Sequence, residues 1–192
     1  MRKLLFLTFT VSLLSCSQVM AQVDTTITTT PRLKHEVYAG YGVLSFPLLL
    51  EGIVNLFGTG GETNRGVGPV QVGYNYLLNE KWSVGVLNSY TSYTSRYTSS
   101  GQLIYRNHYY CVMPRIDGYW VREEKLLLYS GVAVGAMIFR GYDGELDEKS
   151  KGIYAVGHLN VMGLRVGKEL AFFADFGFGF NGLINTGVSA RF

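Results

Sequence analysis

From residue 36 onward, apolar side chains alternate with small or polar ones in segments of about ten residues, the period-two pattern of strands whose two faces meet different surroundings. Eight segments can be drawn, at 36–44, 69–77, 82–93, 105–121, 126–139, 153–166, 170–180 and 183–192. In the second, Val70, Val72, Tyr74 and Tyr76 share one face and Gln71, Gly73 and Asn75 the other. In the third, Trp82, Val84, Val86 and Tyr90 oppose Ser83, Gly85, Ser89 and Thr91. The seventh sets Leu170, Phe172, Ala174, Phe176, Phe178 and Phe180 against Phe173, Asp175, Gly177 and Gly179, and the eighth sets Ile184, Val188, Ala190 and Phe192 against Asn185, Ser189 and Arg191. A soluble barrel would bury the bulky apolar face and wet the other. Here the second face is glycine, serine and scattered ions, which suits lipid outside and a narrow polar interior.

The connections support that orientation. Residues 78–81, 122–125 and 167–169 are short charged turns, and Asn79, Glu123 and Lys168 recur at 44 or 45 residues, one hairpin pair apart. The alternate connections, 45–68, 94–104 and 140–152, are longer, and Asn181-Gly182 is a tight hairpin turn. Short turns at one end and long loops at the other predict an all-β, eight-stranded, antiparallel, up-and-down transmembrane β-barrel over residues 35–192, with the short turns periplasmic. Tyr76, Trp82, Trp120, Phe172 and Phe192 near the short-turn end, and Tyr90, Tyr110, Tyr154 and Phe180 near the long-loop end, form the expected pair of aromatic girdles. Pro114 within the fourth segment signals a bulge or break, and the sixth changes phase between Leu159 and Met162, which predicts a bulge at Val161-Met162.

On this assignment the inward side chains include Glu36, Asp117 and Asp175, and also Arg115, Arg165 and Arg191, three of each sign. Unpaired ions in such a lumen would cost several kcal/mol each, so they predict a cross-strand network that plugs the barrel. A proton or ion path is the competing reading. A small-solute pore is the corresponding alternative function.

Export is read from the first residues. Arg2 and Lys3, the apolar stretch Leu4 to Leu14 and the small-residue site Val19-Met20-Ala21 form a secretory leader over 1–21, and the threonine-rich 22–34 with Pro31 forms a flexible periplasmic lead-in. The alternative is a lipoprotein box at Leu13-Leu14-Ser15-Cys16 with Cys16 acylated. Without the leader, Cys111 is the one thiol, so no intramolecular disulfide is expected. Composition agrees. The 192 residues are 47% hydrophobic and 16% charged with 24 glycines, too apolar for disorder. Removing Arg2 and Lys3 leaves 15 basic against 14 acidic residues, which argues against a nucleic-acid partner.

These residues carry a resemblance. A leader, eight amphipathic strands and a final Gly-Val-Ser-Ala-Arg-Phe make 34–192 similar to the small outer-membrane β-barrels, the family of the outer membrane protein A transmembrane domain and outer membrane protein X. More narrowly, Gly73-Tyr74-Asn75-Tyr76, Lys81-Trp82-Ser83, the run 109–114, Val166-Gly167-Lys168 and the run 176–180 resemble a group of bacterial outer-membrane barrel proteins without an assigned activity. The resemblance implies a terminal strand, with outward Ile184, Val188, Ala190 and Phe192, that serves as the signal for the barrel assembly machinery. It further implies outer-membrane lipids and lipopolysaccharide as surroundings, and a monomer.

The wider family includes lipid A-modifying enzymes, so His35, His108 and His158 are candidates for chemistry. His108 with Ser92 or Ser95 is the best nucleophile-base pair, but isolated polar residues near a barrel rim are usually solvated. The expectation is therefore no catalysis and no cofactor, and no histidine, cysteine or carboxylate spacing predicts a transition metal. Asp143, Glu145, Asp147 and Glu148 could hold calcium but read as a solvated turn. The segment 46–57 is apolar for an external loop, and Phe46, Leu49, Leu50, Ile53, Leu56 and Phe57 could form a short helix that either seeks a partner or packs over the rim.

Overall fold

The computed structural model describes residues 33–49 and 62–192, with the side chains of Glu62 and Asn64 left aside. The proposed leader, the lead-in up to Arg32, Cys16, and loop residues Leu50, Ile53, Leu56 and Phe57 lie outside the described residues. Eight strands follow in order: β1 His35–Val43, β2 Glu62–Leu77, β3 Trp82–Tyr97, β4 Leu103–Arg122, β5 Leu126–Asp143, β6 Glu148–Gly167, β7 Leu170–Gly179 and β8 Ile184–Arg191. Each pairs antiparallel with its neighbours, and β1 pairs with β8 to close the barrel, from Glu36 opposite Arg191 to Val43 opposite Ile184. Closure removes the sheet edges that would otherwise need covering.

Alternation places the large apolar side chains outside. Val37, Val72, Val112, Val134, Leu159, Phe172, Phe176 and Val188 are exposed, whereas Gln71, Ser83, Asp117, Arg165, Asp175 and Ser189 are buried. The barrel is inside-out relative to a soluble one.

Strands β2 to β6 run further than the alternation predicts. β2 begins at Glu62 rather than residue 69, β5 ends at Asp143 rather than 139, and β6 begins at Glu148 rather than 153. The connections expected at 94–104 and 140–152 therefore shrink to 98–102 and 144–147. These extensions carry Thr94, Arg96, Arg140, Lys149 and Lys151, polar on both faces, so the apolar signal stops while the hydrogen-bond ladder continues. Cross-strand rings help to hold it, with Tyr93 and Tyr105 at 5.8 Å and Tyr109 and Phe139 at 5.4 Å between centroids.

The register shifts between Asn160 and Met162 against β7, and opposite Ser130 against β5. Val161 and Met162 are consequently both outward, and the Ser130 hydroxyl donates to the Val161 carbonyl. At Pro114 there is no shift: the β4–β5 ladder skips Met113 and Pro114 and resumes in the same register, with Val112 opposite Ala136 and Arg115 opposite Ala133. That is the break, one of the two forms expected at Pro114; a bulge in β4 lies between Tyr119 and Val121, and another falls at Gly68-Pro69, where the Gly68 amide donates to the Tyr41 hydroxyl at 2.8 Å.

Inside, the half nearer the short turns is ionic, and the outer half combines an apolar cluster with buried neutral polar side chains such as Gln71, His158, Asn181 and Asn185. Leu87, Cys111, Met113, Ala133, Met137, Val156 and Phe173 form a buried cluster with Tyr38. The interior is thus not the uniformly small and polar lining that the alternation suggests, because β4 carries apolar residues on both faces here. Small residues make room for the large ones: a Cβ at Gly73 would collide with the Tyr38 ring. Gly73→Val should therefore lower stability by about 1–3 kcal/mol through overpacking, read as a lower urea midpoint in detergent micelles.

Candidate functional site

The six ionic residues read from the sequence are all in the lumen, drawn from β1, β4, β6, β7 and β8. They form two connected groups. Next to the short turns, the Glu36 carboxylate accepts from Arg165 Nε at 2.9 Å and from Arg191 Nε and Nη2 at 3.0 and 2.8 Å. Arg165 Nε also donates to Ser189 Oγ at 2.7 Å, and its terminal nitrogens donate to the Gly167 and Glu169 carbonyls. Tyr119 Oη lies 3.5 Å from Arg191 and 3.2 Å from Ser83 Oγ.

One layer further in, Arg115 Nε donates to both Asp117 oxygens at 2.7 and 2.9 Å, and Arg115 Nη2 lies 3.7 Å from Asp175. Asp175 also accepts from the Tyr129 hydroxyl at 2.5 Å. The Arg115 guanidinium stands over the Tyr38 and Tyr129 rings at 5.6 and 5.7 Å. Each of the six ions is engaged by another, with a hydrogen bond crossing the lumen from β6 to β1 and an ion pair from β4 to β7. The cavity left between these side chains is about 10 Å³, at the lower limit for one water. Chemically, the arrangement braces the wall through paired charges.

Sequence reasoning missed Tyr119 and Tyr129, although both share the phase of the ions: Tyr119 follows Arg115 and Asp117 at intervals of two, and Tyr129 precedes Ala133. Their partners depend on strand stagger, which the pattern along one strand does not contain.

The other candidates separate. His108 Nδ1 lies 2.8 Å from the Tyr90 hydroxyl with the rings stacked, and Ser92 sits opposite it, whereas Ser95 is buried in the other phase. No serine of the pair is brought into a hydrogen bond with His108. His158 is buried and inward, and His35 lies at the seam, 2.7 Å from the Tyr74 hydroxyl and stacked on Phe192 at 5.6 Å. The backbones of His35 and Phe192 exchange two hydrogen bonds of 3.0 Å. Ile184, Val188 and Phe192 are exposed on the outward face of β8, and Ala190 shares that phase.

Asp143 Oδ1 accepts from the Glu145 and Leu146 amides, Tyr97 donates to Glu145, and Tyr142 donates to Asp147, so these carboxylates shape the β5–β6 turn. Among the described residues no group of three histidine, cysteine or carboxylate side chains could hold a metal. Residues 46–49 form one helical turn. Phe46 packs on Phe178 and Phe180, and a Cβ at Gly66 would collide with the Leu48 side chain.

Two girdle assignments change. Tyr154 lies opposite the inward Met137 and so belongs to the concave side, and Phe180 leaves β7 to pack against the interior cluster. Tyr90 and Tyr110 remain outward neighbours with centroids 4.8 Å apart. Ten residues separate Tyr110 from Trp120 on β4, about 33 Å at ~3.3 Å per residue and about 25 Å when tilted by ~40°, the height of a transmembrane apolar band.

An eight-stranded, all-antiparallel closed barrel with apolar outside and ionic inside has the fold of the small outer-membrane β-barrels. The chain is similar to the N-terminal β-barrel domain of Pseudomonas aeruginosa OprF, with 12% identity and a TM-score of 0.51 over 84% of this chain and 98% of that one. It is also similar to Ail, the attachment invasion locus protein of Yersinia pestis, with 13% identity and a TM-score of 0.43 over 83% of this chain and 99% of that one. Ail in a phospholipid bilayer nanodisc gives 15% identity and a TM-score of 0.43, covering 84% and 100%. At these identities the likeness is one of fold. No protein-family model and no curated protein matches the chain.

Glu36 carries the inner network. Glu36→Gln should cost about 3–5 kcal/mol, because Arg165 and Arg191 lose their shared counter-ion in a buried site. The exposed Glu124, whose carboxyl Lys168 holds below its ordinary range, is the control: Glu124→Gln should leave the urea midpoint unchanged.

Proposed function

We propose that this chain is an integral protein of the bacterial outer membrane, exported by a cleaved leader, whose barrel is closed by its ion network and serves in structure or surface interaction without catalysis. The observation that carries this reading is the inversion of polarity: a continuous outward belt of valine, leucine, isoleucine and phenylalanine around a lumen whose charges are paired. Such a belt is tolerable where lipid replaces water, and a paired interior is tolerable where water is scarce.

The OprF likeness supports the fold on which this rests. The residual cavity of about 10 Å³ favours a closed interior over a small-solute pore. The bond from His108 to Tyr90, in place of a serine, speaks against the lipid A hydrolase alternative. Membrane lipids and lipopolysaccharide then become the lateral partners, and the assembly machinery the transient partner of outward Ile184, Val188, Ala190 and Phe192. Self-closure by β1 and β8 requires no second copy, which fits a monomer.

Two measurements test the reading. In planar bilayers the purified protein should give no steady current, whereas a large ohmic conductance would favour the pore. Val134→Arg on the outward face should destabilise folding into phosphatidylcholine vesicles by about 2–4 kcal/mol, and a variant as stable as wild type would contradict the lipid-facing assignment.

A further inference from the structure

One stretch of the outward surface carries chemistry that an apolar belt does not need. Cross-strand register sets His108, Arg140 and Lys151 side by side on β4, β5 and β6, and the next row outward holds Arg106, Tyr142 and Lys149. They share the outward phase of Tyr110, Ile138 and Ile153, the row just below. Arg106 and Arg140 both act electrostatically on His108. Like charges directly opposite on neighbouring strands are destabilising. No carboxylate among the described residues forms an ion pair with Arg106, Arg140, Lys149 or Lys151. Of the acids of the adjoining turn, Asp143 is held by two backbone amides, Glu145 by Tyr97 and Asp147 by Tyr142, and the exposed Glu148 stands opposite Asp143, one position beyond the Lys149 row.

Below these cations the same face becomes small. Ala136 lies opposite Ala155, and Val134 opposite Gly157. Beside Gly157, β7 ends at Gly179, and the step leaves an apolar groove of about 390 Å³ lined by Phe46, Val132, Val134, Leu159, Phe178 and Phe180. Packing does not require glycine here: a Cβ on Gly157 would meet nothing nearer than the Ala133 carbonyl oxygen, at 3.6 Å. Its missing side chain keeps the groove open. Six residues part Gly157 from Lys151, about 20 Å along the strand and roughly 15 Å of depth at ~40° tilt, which is half of a ~30 Å hydrocarbon core.

We propose that the outward face of β4 to β6 binds one phosphate-bearing acyl lipid of the outer leaflet. Its phosphate lies between Arg140 and Lys151, with Arg106 and Lys149 beside them, and one acyl chain runs over Ala136 and Ala155 into the groove at Gly157. Cations give the site its preference for phosphate, and the groove gives it a preference for a lipid over a soluble anion. This rests on the membrane reading above.

The test uses the full chain purified in detergent, titrated by native mass spectrometry with bisphosphorylated lipid A, monophosphoryl lipid A and phosphatidylcholine. Bisphosphorylated lipid A should bind at least tenfold more tightly than phosphatidylcholine. Arg140→Gln combined with Lys151→Gln should reduce that binding tenfold or more, and Gly157→Leu should reduce it with every charge in place. Inorganic phosphate should not displace the lipid. Wild-type binding by either variant, or full displacement by inorganic phosphate, overturns the proposal. The heat-dependent gel shift checks that each variant is folded, with Gly157→Val in place of Gly157→Leu should the larger side chain prevent folding. Flotation with vesicles separates the two claims. A chain that does not float sinks the membrane reading, whereas one that floats but binds lipid A no better than phosphatidylcholine sinks only the lipid site.

Discussion

One carboxylate, that of Glu36, ties the barrel's closing seam to its far wall. It stands on β1 and accepts from Arg191 on the adjacent β8 and from Arg165 on β6. A closed sheet of eight strands needs its first and last strands held together, and the backbone ladder from Glu36 to Val43 does so along one line only. The two guanidinium contacts add a brace across the lumen. They are strong because water is scarce there, and for the same reason the group could not tolerate the loss of one member.

The remaining architecture follows from placing charge at the centre. Ions inside demand partners inside, and Arg115 with Asp117, Asp175 and Tyr129 supplies the second layer. Apolar side chains displaced from the interior must then face outward, which leaves the apolar surface that the membrane reading assigns to lipid. Above that belt the constraint lapses. The extensions of β2 to β6 carry polar residues on both faces and are held by ladder bonds and paired tyrosine rings. Above the apolar level, cations collect on β4 to β6 with no ion-paired carboxylate among the described residues.

How much of this was legible depends on what each feature encodes locally. The eight strands, their order and the inward ions are period-two signals, carried by residues such as Asp175 between Phe172 and Phe178, and they could be read directly. The bulge at Val161-Met162 was legible because two outward apolar residues in succession break that period. Strand ends were not, since Arg140 and Lys151 look the same in a loop as in a polar hairpin. Nor were the pairs within the lumen, because Glu36 meets Arg165 through 129 residues of separation and a stagger set by the whole barrel. Tyr154 and Phe180 were misplaced for a related reason: near the rim, distance along a strand does not say which side of the wall a ring takes.

The central claim is that neighbouring side chains on one strand look in opposite directions, one into acyl chains and one into the packed lumen. It is tested most directly at Phe172 and Phe173, exposed and buried respectively. With Trp82 and Trp120 replaced by phenylalanine, Phe172→Trp and Phe173→Trp are compared for fluorescence quenching in vesicles of chain-brominated phosphatidylcholine. Strong quenching of the first and little of the second is the predicted result, and equal or reversed quenching would contradict it.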